Sequence, residues 1–392
     1  MSQSHPCCQP DPSTSPSRKL RVAFLGGAYE SAVGRVHRIA VEMDQRFELV
    51  AGCFSRNLET NRKSAFRYGV VPARTYSDLD ELLGSESSQI DGILILTPTN
   101  QHKLQVMRCL AAGIPVICEK ALVTSSEEAA DIKALLLQRG GFLAVTYNYT
   151  GYPMIRELKH MIEQGRFGKI QQIHIEMPQE GFSRIGNNGA PIVPQDWRLH
   201  DGKIPTISLD LGVHLHMMVR FLTNEQPSEV VAISNTYGNF PQIIDNVSCI
   251  ARYTNNLNCS IWYSKTALGH RNGLKLRLFG ESGSAEWLQE NPEYLQFADN
   301  HGRRIIIDRA SSEVQVSNQM RYTRFKARHP SGFIEAFANY YYDTADTLGL
   351  YLDKNKPCPS QYVFGIDEAL EGIHMLEAIA DSSINKCWVN VK

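Results

Sequence analysis

Between Leu20 and Asn148 the hydrophobic period of the chain switches back and forth. Short apolar runs, "LRVAFLG", "FELVAGCF", "IDGILILTP", "IPVICEK" and "GFLAVTYN", each give way to a stretch with helical spacing or a turn. Apolar runs without polar alternation belong to strands buried on both faces. When a helix separates such strands, it carries the chain back across the sheet, so the strands run parallel. The pattern predicts a doubly wound parallel sheet, a Rossmann-type α/β domain, over residues 19–148. The helices carry their own end signals. Gly69 and Gly113 stop two of them, and serines with early acids open "SSEEAADIKALLLQRG". In the first helix Val33, Val36, Ile39, Ala40 and Met43 share one face and are expected against the sheet.

After residue 148 the texture changes. A helix, "PMIRELKHMIEQG", and a strand, "KIQQIHIEMP", precede an irregular polar stretch over 182–206. The helix "ISLDLGVHLHMMVRFL" follows, and then many short strands with turn signals such as "TNN" and "ESGS" between them. This reads as a second α/β domain, 149–392, with an open, mostly antiparallel sheet and two closing helices. Residues 1–18, rich in Pro, Ser and Gln, read as a disordered tail.

Composition excludes several functions. The formal net charge is −1 with scattered Lys and Arg, so no nucleic-acid or membrane-surface field is implied. No apolar run approaches the roughly 20 residues of a membrane span, and the N-terminus lacks the apolar core of a secretory signal. Nine cysteines, an odd number without framework spacing, fit a reducing cytoplasm. Cys7 and Cys8 lie in the tail, while Cys53, Cys109, Cys118, Cys249 and Cys259 sit in apolar patterns as small core residues. There is no C-x-x-C and no H-E-x-x-H, so no metal site is expected.

In a doubly wound sheet, ligands bind beyond the carboxyl ends of the strands. The first strand ends in "GGAYESAVG". Gly26, Gly27, Ala28, Tyr29 and Gly34 form a small-residue turn into a helix, which either cradles a pyrophosphate or is an ordinary tight turn. The second strand ends in Ser55 and Arg56, where a chain preferring NAD has an acid for the ribose 2′-hydroxyl. A hydroxyl and a cation suit a 2′-phosphate, which favours NADP, unless Arg56 is an ordinary surface residue. The third strand ends in Thr97, Pro98, Asn100 and His102, and the fourth in Glu119 and Lys120. Asn148 follows the fifth. Farther on, Asp210 and His214 stand four apart, on one face if that segment is helical. A carboxylate one turn from an imidazole can orient it for acid–base work, although such pairs are commonly structural. His216 lies off that face and reads as packing. Trp197 and Arg198 lie in the polar stretch, which either lines a pocket or is a surface excursion.

Taken together these pieces resemble the Gfo/Idh/MocA family, named for glucose–fructose oxidoreductase, inositol dehydrogenase and a rhizopine catabolism protein. The resemblance covers about residues 20–392. "GRVHR" looks like the family's G-x-x-H at Gly34 and His37, and "TPTNQH" like its T-P-N-x-x-H with one residue inserted. "CEKAL" is similar to E-K-P with Ala121 for Pro. "DLGVH" matches D-x-G-x-H, and "WVNV" resembles the last strand. The third Gly of the fingerprint is displaced, "IPTIS" replaces a glycine triplet, and Met217 stands where an acid is frequent.

The resemblance implies an NAD(P)-dependent oxidoreductase acting on a secondary alcohol or ketone of a sugar, cyclitol or sugar derivative. It implies cofactor contacts at Gly26, Gly27, Ala28, Tyr29, Gly34, Ser55, Arg56, Thr97, Pro98, Asn100, His102, Glu119 and Lys120. Lys120 would bond the reacting oxygen, His214 would be the general base, and Asp210 would orient substrate and His214. Asn148, Trp197 and Arg198 would join Asp210 and His214 at the substrate. A homodimer or homotetramer through the C-terminal sheet is also implied. Two other classes remain open: an NAD-dependent glycoside hydrolase of the same fold, and a non-catalytic dinucleotide-sensing regulator.

Overall fold

The computed structural model describes residues 18–353 and 360–392. The tail expected over 1–18, with Cys7 and Cys8, lies outside the described residues except for Arg18. That residue grips Asp91 through two bonds of 2.6 and 2.7 Å.

The first sheet contains β1 (Leu20–Gly26), β2 (Phe47–Cys53), β3 (Gly92–Leu96), β4 (Val116–Glu119) and β5 (Leu143–Thr146), in spatial order β2-β1-β3-β4-β5. Every pairing is parallel. Helices α1 (Gly34–Met43), α2 (Leu58–Tyr68), α3 (Leu79–Glu86), α4 (His102–Ala111) and α5 (Ser126–Arg139) connect the strands. One face of the sheet, with Ala23, Leu25, Ile93, Ile95 and Cys118, packs with residues of α3, α4 and α5. The other, with Val22, Phe24, Leu94 and Ile117, packs with α1 and α2.

Helix α1 is rotated from the face its hydrophobicity suggests. Its buried residues are Gly34, His37, Ala40 and Val41, while Ile39 is 45% exposed. Two local demands outweigh the apolar stripe. A Cβ on Gly34 would lie 2.2 Å from the Gly27 carbonyl oxygen, so this glycine must face the loop. His37 then turns inward, where polar partners meet it.

The second half builds a nine-stranded sheet from β6 (Ile170–Pro178), β7 (Pro227–Asn235), β8 (Asn246–Tyr253), β9 (Leu257–Ser264), β10 (Lys275–Gly280), β11 (Gly283–Leu288), β12 (Leu295–Asp299), β13 (Arg304–Ile307) and β14 (Val389–Asn390). Only the β6–β9 pairing is parallel, so the sheet is mostly antiparallel. Its strands alternate buried and exposed: β8 reads buried at Val247, Cys249 and Ala251 and exposed at Ser248, Ile250 and Arg252. One face is therefore core, packed with α6 (Pro153–Glu163) and α7 (Val213–Thr223), and the other is open.

Of the closing helices, α8 (Phe333–Leu352) returns to the first sheet, where Phe337, Tyr341, Ala345 and Leu348 join the Phe24 cluster. The last, α9 (Ile366–Asn385), packs along α5 and β7. The chain after residue 148 thus supplies part of the first domain's covering layer. The cysteines at 53, 109, 118, 249 and 259 are buried and free. Among the described residues no helix is long and apolar enough to cross a membrane.

Candidate active site

The glycine turn is built against the end of β3. Gly26 and Gly27 have φ of +82° and +67°, which L side chains rarely adopt. A Cβ on Gly27 would also lie 2.6 Å from a Leu96 methyl. The turn delivers the chain to α1, where Val33 offers no side-chain bond, the first turn has no acid, and the Ser31 hydroxyl meets only the first amide, that of Gly34, at 2.9 Å. Its neighbours differ. Asn57, Asp78 and Ser125 cap α2, α3 and α5, with one acid in the first turn of α2 and two in those of α3 and α5. Like α4, which also lacks a side-chain cap and an early acid, α1 leaves the amides after Gly34 and its partial positive charge for an external anion, and α1 alone of the two follows the glycine turn, as a dinucleotide pyrophosphate requires. The residues present fit that group.

Around this turn the expected cofactor residues divide. Ala28 accepts the Ser31 amide, closing the loop. Tyr29 has its ring between Arg35 and Arg67, at 5.1 and 5.5 Å, and its amide on the Ser64 hydroxyl. Both are engaged within the protein. At the end of β2, Ser55 accepts the Asn57 amide at 3.1 Å, and Arg56 is exposed without an ion pair among the described residues. Thr97 bonds Gln105, Pro98 opens a 3-10 turn, and Asn100 lies exposed upon it.

His102, expected at the cofactor, straps two loops together. Its nitrogens lie 2.7 Å from the Thr97 carbonyl and 3.0 Å from that of Ala121. The ring ties the β3 loop to the β4 loop, and burial pushes it toward the neutral form against the pull of the two carbonyls.

At the end of β4 stands Glu119, its carboxylate 3.1 Å from His37 Nε2; His37 Nδ1 meets the Tyr341 hydroxyl. This buried chain joins α8, α1 and β4 behind the next residue, Lys120, whose peptide to Ala121 is cis. The Lys120 ammonium reaches out of the first domain. It donates to the Asp210 carbonyl at 2.7 Å and to Asp210 Oδ1 at 3.1 Å.

Asp210 sits in a π-helical turn, Ser208–Gly212, that leads into α7. Such turns insert one residue into a helix and concentrate at functional sites. Gly212 lets Tyr263 approach, since a Cβ there would lie 3.0 Å from that ring. The Asp210 carboxylate is shared by three cations: Lys120, Lys265 at 2.8 Å, and Arg198. Burial pushes its carboxyl up, but Lys265, Lys120 and Arg198 prevail and hold it well below the usual carboxylate range.

His214 lies one turn on, 6% exposed, with the Tyr149 ring edge-on at 4.7 Å. Burial first, then Lys120, hold its ring well below the ordinary imidazole range, and Asp210 opposes them. It is neutral at pH 7. Among the described residues no hydrogen bond or ion pair joins Asp210 to His214; the oxygens of Asp210, expected to orient substrate and His214, meet cations. Asn148 is buried beside Tyr149 with its Nδ2 unpartnered. Trp197 stacks under the Arg198 guanidinium at 4.6 Å. The polar stretch thus reaches the site through Arg198.

Sequence reasoning missed Lys265. Its ammonium, 7% exposed, bonds Asp210 and, at 3.0 Å, Gln179, above the Phe182 ring. A signal was present. In β9 Leu257, Cys259, Ile261 and Tyr263 are buried at alternate positions, with Ser264 buried as well at the strand's end, and Lys265 continues that alternation on the core side. Like Lys120, it immediately follows a strand.

A parallel sheet with a glycine-turn helix, joined through a lysine to an Asp/His helix on a second sheet, defines a two-domain dinucleotide-dependent oxidoreductase. The comparisons agree. Residues 20–147 match an oxidoreductase family with an NAD-binding Rossmann fold, and residues 155–286 match the GFO/IDH/MocA C-terminal domain. The chain belongs to the Gfo/Idh/MocA oxidoreductase family. An uncharacterized oxidoreductase of Bacillus subtilis is 28% identical over 387 residues, covering 96% of this chain and 98% of that one. Inositol 2-dehydrogenase of Rhizobium meliloti is 26% identical over 290 residues, 72% of this chain and 80% of that one. Among solved structures, an inositol dehydrogenase homolog from Azotobacter vinelandii, in complex with NADH and myo-inositol, superposes with a TM-score of 0.84. It is 26% identical, over 95% of this chain and 98% of that one.

Proposed function

We propose that the protein transfers a hydride between a nicotinamide cofactor and a secondary alcohol or ketone carbon of a sugar, cyclitol or sugar derivative. The carrying observation is the junction at Lys120, where the end of β4 meets Asp210 and the neutral His214 across the two domains. The start of α1 and the glycine turn would hold the pyrophosphate. The cofactor, when bound, supplies the hydride acceptor or donor. Lys120 bonds the reacting oxygen and stabilises the negative charge that develops on it. His214 accepts the hydroxyl proton, and its neutral state leaves a lone pair for it. Asp210 positions Lys120 and offsets the charge that His214 gains.

Two finer features belong to this reading. The cofactor is NADP in preference to NAD, because Arg56 is exposed without an ion pair among the described residues and no acid stands at the end of β2, where Phe54, Ser55 and Arg56 follow Cys53; the Azotobacter relative was solved with NADH. The protein is a homo-oligomer, dimer or tetramer, that joins copies through the open face of the second sheet, where Ile233, Ile250 and Ile306 are exposed. The free described cysteines suit a reducing cytoplasm. The test is absorbance at 340 nm with each cofactor across sugars and cyclitols, for wild type and Lys120→Ala. Turnover that survives in the variant refutes the role of Lys120.

A further inference from the structure

Three cations share one carboxylate at this site. Lys120, Arg198 and Lys265 all contact Asp210, and their side chains are 14, 23 and 7% exposed. Neutral His214 adds no charge. Other acids of the neighbouring loops are engaged elsewhere. Glu119 faces His37. Glu180 accepts the Gly269 amide and lies beside Arg184 and Arg271. Asp245 accepts the amides of Tyr237 and Gly238. The cluster therefore holds a surplus of two positive charges in a largely desolvated place. An uncompensated buried charge is costly. Burial, with Arg198 and Lys120, already pushes Lys265 below the ordinary lysine range against the pull of Asp210. An oxidised nicotinamide ring would add positive charge here.

The negative charge of a reacting oxygen is transient and is served by Lys120. The Arg198 guanidinium stays charged throughout, and with the Lys265 ammonium beside Asp210 it exceeds what that one carboxylate balances, which suits a lasting negative charge on the bound ligand. Arg198 gives Nη1 to Asp210, and among the described residues no acceptor takes its other guanidinium N–H groups. Trp197 and Gln195 brace it: the indole stacks on the guanidinium and donates to Gln195 at 3.1 Å. A planar fork held in this way matches an acid group. Lys265, fixed by Gln179, presents its ammonium beside it.

We propose that the substrate carries a permanent acid group, a carboxylate or a phosphate ester on the sugar or cyclitol skeleton, bound by Arg198 and Lys265. The skeleton rests on the hydride-transfer reading; the acid group rests on the charge surplus.

The test is calorimetric titration of the full-length protein, saturated with NAD+ or NADP+, with matched probes. These are glucose, glucuronate and glucose 6-phosphate; galactose, galacturonate and galactose 6-phosphate; and sorbitol, gluconate and sorbitol 6-phosphate. The expected result is that at least one acid binds on the order of tenfold or more tightly than its neutral parent. Whether the carboxylate or the phosphate gains more identifies the acid. Arg198→Met, and Lys265→Met if it folds, should remove most of that preference. If no acid binds more tightly than its parent, or the preference survives Arg198→Met, the proposal is overturned. The same mixtures are read at 340 nm. Preferential acid binding without absorbance change for any probe keeps the anion site and refutes the hydride-transfer reading. Turnover of neutral sugars without acid preference does the reverse.

Discussion

Replacing Asp210 by Asn removes one negative charge and keeps the shape of the side chain. Lys120, Lys265 and Arg198 then face one another without a counter-ion. Breaking a buried ion pair from one side costs about 3–5 kcal/mol. The cluster has one escape, the loss of a lysine proton. Neutralising a lysine of ordinary pKa at pH 7 costs about 5 kcal/mol, at roughly 1.4 kcal/mol for each of about 3.4 units. That figure caps the penalty of the unpaired charge it relieves, and it falls by about 1.4 kcal/mol for every unit that the pH rises. The sign follows from proton counting. In the variant the folded-state lysine pKa lies further below its unfolded value. Between the two values the unfolded chain binds the extra proton, so stability rises with pH across that window. Asp210→Asn should therefore lose about 3–5 kcal/mol at pH 7, and distinctly less at pH 9. Urea titration of wild type and variant at both pH values, followed by tryptophan fluorescence, measures it; Trp197 and Trp287 both lie in the affected half of the chain. A deficit under about 1 kcal/mol at pH 7, or one independent of pH, would mean that water already screens the three cations, and the charge reasoning would fail.

Lys120→Ala should lower kcat by at least about a hundredfold, the usual scale for one donor at a developing oxyanion, while the melting profile and cofactor affinity stay near wild type; an unchanged kcat would refute its role. Arg56→Ala should weaken NADPH by about 1.5–3 kcal/mol, and NADH much less, since it deletes a charge-assisted phosphate contact; fluorescence titration with each cofactor decides, and an equal loss would make Arg56 a general adenosine contact. His214 is held well below the ordinary imidazole value by burial and Lys120, so its neutral form persists below pH 6.5; kcat/KM for oxidation should stay flat from pH 8 to 6, and a fall centred near 6.5 would contradict the assignment. Because the unfolded ring takes a proton that the folded ring refuses, this residue also makes the fold less stable as pH falls below about 6.5. Phe337→Ala, on α8, should cost about 3–5 kcal/mol, because it opens a cavity against the first sheet; a loss below about 1 kcal/mol would show that α8 is dispensable there.

How much could be read before the fold was known varied with the range of the interaction. Periodicity is local, so the parallel strands, the helices that follow them and the alternating second sheet were legible, as were the strand-end motifs with Gly26, Thr97 and Lys120. The face of α1 was not. Its apolar stripe pointed to Ile39, but the contact of Gly34 with the Gly27 carbonyl and the meeting of His37 with Glu119 turned it. Nor were the internal partners of His102 and Tyr29 legible: the carbonyls of Thr97 and Ala121 and the guanidinium groups of Arg35 and Arg67 meet them through loop and helix geometry that no residue pattern displays.

What the order of residues determined by itself is which strands form, which way they run and which loops gather at their carboxyl ends, because each of these depends on the period of neighbouring side chains. Tertiary structure alone decided that Lys120, Arg198 and Lys265, from three distant loops, share one carboxylate, and that His214 stays neutral beside them. It also decided that α8 closes a domain it follows by nearly two hundred residues. Charge balance and desolvation depend on distances between remote segments, and no local pattern encodes them.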